Sequence, residues 1–152
     1  MELNLSEDLV YRNLDVESDG EILEFLAKEL VEKNYVDESY VHAIHEREKT
    51  YPTGLPSTDP GIAIPHASYD MVKKTTMAIA TLKNPVEFTN MGDKKEKLSV
   101  QIVIMMAIRK PQGQIEMLQR VLKMIEDEPL RRQMLDASTD AELLELFKKV
   151  VY

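Results

Sequence analysis

The chain contains no cysteine. That excludes disulfides, thiolate metal sites and a cysteine nucleophile together, and we expect a cytoplasmic protein. Only five glycines occur in 152 residues, which leaves little room for a phosphate-cradling loop. Neither Gly-x-x-x-x-Gly-Lys-Ser/Thr nor Gly-x-Gly-x-x-Gly is present, and the Gly-x-Ser-x-Gly elbow is missing as well. No apolar run approaches the length of a bilayer span. The opening MELNLSEDLVYRN shows no basic region leading into an apolar stretch, so we expect neither membrane insertion nor a secretory signal. Positive charge is in deficit: 19 Lys and Arg against 27 Asp and Glu give a net charge of −8. Such a chain suits nucleic acid poorly, because that affinity comes from phosphates neutralised by Lys and Arg. Any phosphate chemistry here needs a local cationic site.

What is present describes one domain. A hydrophobic content of 43% with 30% charged residues is an ordinary globular balance, and the length allows one real core. Leu9 to Leu14 reads as a short edge strand. Ser18-x-x-Glu21 is a capping box, in which each side chain answers a free amide at a helix start. Leu26 and Leu30 follow on the apolar face, and Asn34 ends that helix. Asp37 caps a second helix carrying Tyr40, Val41, Ile44, His45 and Arg47. Three prolines and a glycine between Tyr51 and Pro60 make a loop of fixed backbone angles.

Strand-like runs come next, at 61–64, 75–82 and 98–108, with a shorter one at 86–89 before the mixed-charge run Asp93-Lys94-Lys95-Glu96-Lys97. That run reads as a solvated loop. Residues 102–108 are apolar on both faces, as in a central strand covered by helices on each side. The rest is helical. Ile115, Leu118, Leu122 and Ile125 form a stripe, Pro129 starts another helix, and Thr139 with Glu142 makes a second capping box. Met105, Met106, Met117 and Met124 read as core. The pattern predicts a single α/β domain with a central mixed β-sheet flanked by α-helices.

His66 is the side chain that stands out. It follows the short run Gly-Ile-Ala-Ile-Pro, at the end of a strand, where functional groups of α/β sheets collect. Pro65 fixes its own φ and biases Ile64 toward extended backbone. Imidazole is also the side chain that offers a neutral nucleophile near pH 7. A hydrogen-bonded loop histidine is the alternative. If the 51–60 turn folds back over the strand end, Arg47 meets His66, and guanidinium matches a phosphoryl group through its planar fork of donors. Thr53 would add a neutral donor. Otherwise Arg47 forms an ion pair near the end of its helix. His42 and His45 share a helix face, but no third ligand of suitable spacing accompanies them. We expect no metal and no cofactor.

Arg47-Glu48, then Pro52-Thr53-Gly54, then Ile62-Ala63-Ile64-Pro65-His66 resemble the enzyme IIA domain of the sugar phosphotransferase system, fructose/mannitol type. The resemblance covers residues 5–150. It implies the mannitol/fructose-type enzyme IIA fold and a phosphotransferase role. The histidine matching His66 accepts a phosphoryl group on Nε2 from the phosphocarrier protein HPr and passes it to a cysteine of enzyme IIB. Enzyme IIC moves the sugar through the membrane. The arginine matching Arg47 lies beside the site.

Mannitol- and fructose-type members usually carry a second histidine where this chain has Gln114. Pro-Gln-x-Gln ahead of the helix and Tyr-Pro-Thr-Gly ahead of His66 are similar to galactitol-type members, so galactitol or a related hexitol is the expected cargo. Gln114 offers a hydrogen-bond donor at any pH. A phosphorylation-sensing regulatory module of the same family is the alternative role. The second nitrogen of His66 should donate to a fixed acceptor, for which a carbonyl of the 51–60 loop is the expectation. Leu55, Ile64 and Met71 are the expected docking rim.

Overall fold

The computed structural model describes residues 3–152. Its centre is a long antiparallel hairpin of β4 (Thr76–Asn90) and β5 (Asp93–Ala107). β1 (Val10–Leu14) adds in parallel to β4 at the sheet edge, and β3 (Ile62–Ala63) adds in parallel to β5. β2 (Gly54–Leu55) pairs antiparallel with β3, and through Gly54 and Asn90 also touches the far end of β4. The result is a mixed five-stranded sheet.

Alternation along the strands explains the two apolar faces. Ala78, Ala80, Val103 and Met105 pack toward α1 (Asp19–Glu32) and α2 (Ser39–Thr50). Met77, Ile79, Ile102, Ile104 and Met106 pack toward the other layer. That layer holds α3 (Pro111–Leu122), α4 (Glu128–Asp136) and α5 (Asp140–Val151). Three layers with the sheet in the middle match the predicted architecture. The four methionines expected in the core are all buried. Among the described residues, no helix is long and apolar enough to cross a membrane.

Both Ser/Thr-x-x-Glu motifs start a helix, with each glutamate accepting from the amide one residue before the cap (Glu17 and Ser138). Ser18 Oγ accepts from the Glu21 amide at 3.2 Å, and Thr139 Oγ1 from the Glu142 amide at 3.1 Å. Asn34 follows α1 with φ 65°, a left-handed stop that asparagine tolerates. Asp37 acts one step earlier than expected: its carboxylate takes the Ser39 hydroxyl at 2.6 Å, and α2 begins at Ser39 with no side-chain cap.

Other expectations need correction. Residues 93–97 are not a loop. They open β5 and pair with β4, because a ladder is made by the backbone and tolerates charges on an exposed stretch. The runs at 75–82 and 86–89 are one strand, bent by a register shift between Thr81 and Val86. The stripe on α3 is turned by about a residue. Met117 and Val121 are buried, whereas Ile115 is 60% exposed.

Candidate functional site

Residues 61–66 run alongside β5. Ile62 and Ala63 pair with Ile102 and Val103, and His66 forms a parallel bridge with Met106. The Met106 amide donates to the Pro65 carbonyl at 2.9 Å. On the other side, the Ile64 amide donates to the Thr53 carbonyl at 3.1 Å. Pro65 has no N–H to satisfy, so the strand stops there without an orphaned donor. The segment is held on both sides, and His66 emerges from its end.

The imidazole is oriented by one hydrogen bond. His66 Nδ1 lies 2.9 Å from the Ile64 carbonyl oxygen. A carbonyl only accepts, so Nδ1 carries the proton and Nε2 keeps its lone pair. The acceptor is therefore two residues upstream, not in the 51–60 loop as expected. His66 is only 9% exposed. Burial holds its pKa below the usual histidine value, and the Arg47 charge pushes the same way, against the opposing Ile64 hydrogen bond.

Arg47 meets His66. Both line a pocket of about 230 Å³, with Thr50, Tyr51, Pro52, Thr53, Met91, Lys94 and Leu118. Arg47 forms no ion pair among the described residues, so the helix-terminal alternative fails. Its Nε is buried without a hydrogen-bond partner. Its Cζ sits 5.1 Å from the centroid of the exposed Tyr51 ring. A buried N–H donor without a partner is costly unless something completes it, and a guanidinium is best completed by an anion.

Thr53 lines this pocket, but its donors are engaged. Its amide and hydroxyl donate to the buried Glu48 carboxylate at 2.8 and 2.7 Å. Burial raises Glu48 to about 7, outweighing these two hydrogen bonds. Gln114 stands beside the pocket, not in its wall, and its amide donates to the Ala67 carbonyl at 3.2 Å. It steadies the residue following His66. None of the three expected rim residues lines this pocket. Leu55 and Ile64 are buried in the α3–α5 core, and Met71 packs on the α1–α2 side. Tyr51, Met91 and Leu118 line the pocket instead.

His42 and His45 do not build a metal site with His66. His45 Nε2 lies 2.8 Å from Glu24 Oε1, and His42 is exposed. Among the described residues, no group of three His, Cys, Asp or Glu is placed to hold a metal ion.

Sequence reasoning missed three contributors. Lys94 was hidden in its mixed-charge run. Glu48 was visible beside Arg47, but only its contact with Thr53 gives it a task. Arg131 is fully buried and reaches the loop before β3. Its donors go to the carbonyls of Thr58, Pro60, Met124 and Ile125 and to the Thr58 hydroxyl.

The chain is similar to several known proteins. Transcriptional regulator ManR of Bacillus subtilis (strain 168) is 42% identical over 107 residues, which is 70% of this chain but 15% of the regulator. The chain thus spans a small fraction of that relative's length. The PTS system galactitol-specific EIIA component of Escherichia coli (strain K12) is 27% identical over 132 residues, 87% of each protein. The crystal structure of IIA mannitol from Escherichia coli superimposes with a TM-score of 0.77 at 26% identity, covering 94% of this chain and 98% of that one. Residues 4–150 match the family described as Phosphoenolpyruvate-dependent sugar phosphotransferase system, EIIA 2, and the chain belongs to that family.

Proposed function

We propose that this chain is a cytoplasmic histidine phosphocarrier. Nε2 of His66 accepts a phosphoryl group from phospho-HPr and passes it to a cysteine of enzyme IIB. The system, completed by a membrane enzyme IIC, serves uptake of galactitol or a related hexitol. One observation carries this reading: an unprotonated Nε2 shares a pocket with a guanidinium that has no carboxylate partner.

The chemistry follows from that arrangement. Phosphoryl transfer passes through a loose transition state with charge on the equatorial oxygens, so the protein has to aim and to stabilise. Ile64 aims the ring by fixing its tautomer. Arg47 supplies the charge. As the donor's P–N bond breaks, its electron pair returns to the donor nitrogen, while the Nε2 lone pair bonds to phosphorus. No proton has to move, because Nδ1–H stays on the Ile64 carbonyl throughout. Similarity to the galactitol component over 87% of both chains supports the cargo.

A second reading has its own support. The higher identity to ManR favours a regulatory module, in which the same phosphorylation biases a regulator's activity. Incubation with enzyme I, HPr and phosphoenolpyruvate, followed by mass measurement and mapping, tests the shared step. One phosphoryl group on His66 is expected, and none in His66→Ala. Phosphate retained by His66→Ala refutes the acceptor assignment. Transfer onward to an enzyme IIB cysteine separates the carrier from the regulatory module.

A further inference from the structure

The hairpin tip brings a second cation to the His66 pocket. Lys94 stands just past the turn joining β4 to β5, and it lines the pocket with His66 and Arg47. Several contacts fix the tip there. Gly54 pairs with Asn90, and the Met91 amide donates to the Gly54 carbonyl at 2.7 Å. Asn90 donates to Glu96 at 2.6 Å and accepts from the Gly92 amide at 2.8 Å. A Cβ on Gly54 would lie 2.7 Å from the Thr89 carbonyl oxygen. Glycine therefore permits this close approach. Because Gly54 directly follows Thr53, the tip is registered against the wall of the pocket.

Lys94 has the features of a residue awaiting an anion. It forms no ion pair among the described residues. Its Nζ is 6.0 Å from the centroid of the Tyr51 ring, the ring that also contacts Arg47. Arg47 and Lys94 thus both approach one aromatic side chain, and neither has a carboxylate partner. Lys94 is exposed and water screens its charge, but two cations beside one pocket favour an anion there. A phosphoryl group on Nε2 supplies it. The flexible lysine stem lets the ammonium follow a group that arrives and leaves.

We propose that Lys94 is a second cationic contact for the transferred phosphoryl group, delivered by the β4–β5 tip and acting together with Arg47. The proposal rests on the reading of His66 as phosphoryl acceptor. In the step concerned, the P–N bond to the donor imidazole breaks as the P–N bond to His66 Nε2 forms. The ammonium keeps all its protons and only neutralises charge on the phosphoryl oxygens.

Lys94→Gln, Lys94→Arg and the control Lys95→Gln, which removes the same charge from a neighbouring strand position, are compared in two measurements. The first is the single-turnover rate from saturating phospho-HPr. The second, on isolated phosphorylated protein, is the 31P resonance and the hydrolysis half-life of the phosphoimidazole. Lys94→Gln is expected to lower the saturating rate roughly tenfold, the effect of one lost charge-assisted contact. It should also shift the 31P resonance and change the half-life. Lys94→Arg should restore both, and Lys95→Gln should behave as wild type. A Lys94→Gln effect confined to the donor-concentration dependence would mean a contact with the partner protein, and would overturn the proposal. So would wild-type values in Lys94→Gln while His66 is phosphorylated normally. Failure of the wild-type protein to take up phosphate would overturn the acceptor reading and this proposal with it.

Discussion

Replacing Glu48 by glutamine should flatten part of the pH dependence of stability. The carboxyl is buried and raised from 4.5 to about 7. In the unfolded chain it loses its proton near 4.5, whereas in the folded protein it keeps it to about 7. Between those values the folded state binds more protons, so stability falls as pH rises. The gap corresponds to about 3 kcal/mol at pH 8. Glutamine imitates the protonated acid. Its carbonyl accepts from the Thr53 amide and its NH2 donates to the Thr53 hydroxyl, the two partners Glu48 now holds. Urea unfolding of wild type and Glu48→Gln from pH 4 to 8 gives a difference curve in which other titrating groups cancel. The variant should match wild type at pH 4 and exceed it by about 3 kcal/mol at pH 8. Glu48→Ala, which strands both Thr53 donors, should lie below Glu48→Gln at every pH, by about 2 kcal/mol. A difference curve that is flat across this range would refute the reasoning, because burial would then not outweigh the two hydrogen bonds.

Arg47→Gln removes a charge that disfavours protonated His66. The His66 pKa, followed by NMR, should rise toward the usual value, and phosphoryl uptake should slow by about a hundredfold. A pKa that stays put would show burial acting alone. Arg131→Met keeps length but leaves four backbone carbonyls without their donor. Chemical denaturation should show a loss of about 3 kcal/mol, and unchanged stability would mean that water replaces the guanidinium.

The layered fold was legible because its signals are local. Two Ser/Thr-x-x-Glu boxes announced α1 and α5, and the double-sided apolar run at 102–108 announced a covered central strand. The hairpin's reach was not legible. Asp93 to Lys97 carries charges on an exposed stretch, and no side-chain pattern marks a ladder built from backbone groups. Ile115 misled for a related reason. On α3 both Ile115 and Met117 are apolar, and only the docking of the helix decides which faces the sheet. At the site, the encounter of His66 with Arg47 was readable from the rigid turn between them. The Ile64 acceptor was not, because every residue has a carbonyl and nothing in its side chain marks the one that is used. Lys94 depends on the bend in β4 and on Gly54 meeting Asn90, a contact 36 residues apart in sequence.

Under the proposed function, proton and phosphoryl group compete for one lone pair on His66. Both bond to Nε2, so whatever repels the proton protects the acceptor. Burial does this by removing water from the imidazolium, and Arg47 adds like-charge repulsion. A phosphoryl group meets the same guanidinium with the opposite sign, because it arrives with negative oxygens. One charge therefore favours the wanted electrophile and disfavours the unwanted one. That double effect requires Arg47 to have no carboxylate partner, since an ion pair would cancel both halves. The structure meets that condition at some cost, with Nε buried and unpaired. The Ile64 carbonyl completes the balance. It accepts from Nδ1 before and after transfer and binds more strongly once the ring is cationic, so it steadies the phosphorylated form without holding the phosphoryl oxygens themselves. Under the proposed function, this division lets a carrier load readily and still release. The ring is stabilised from behind, and the departing group is held by charges that a partner's own donors can replace.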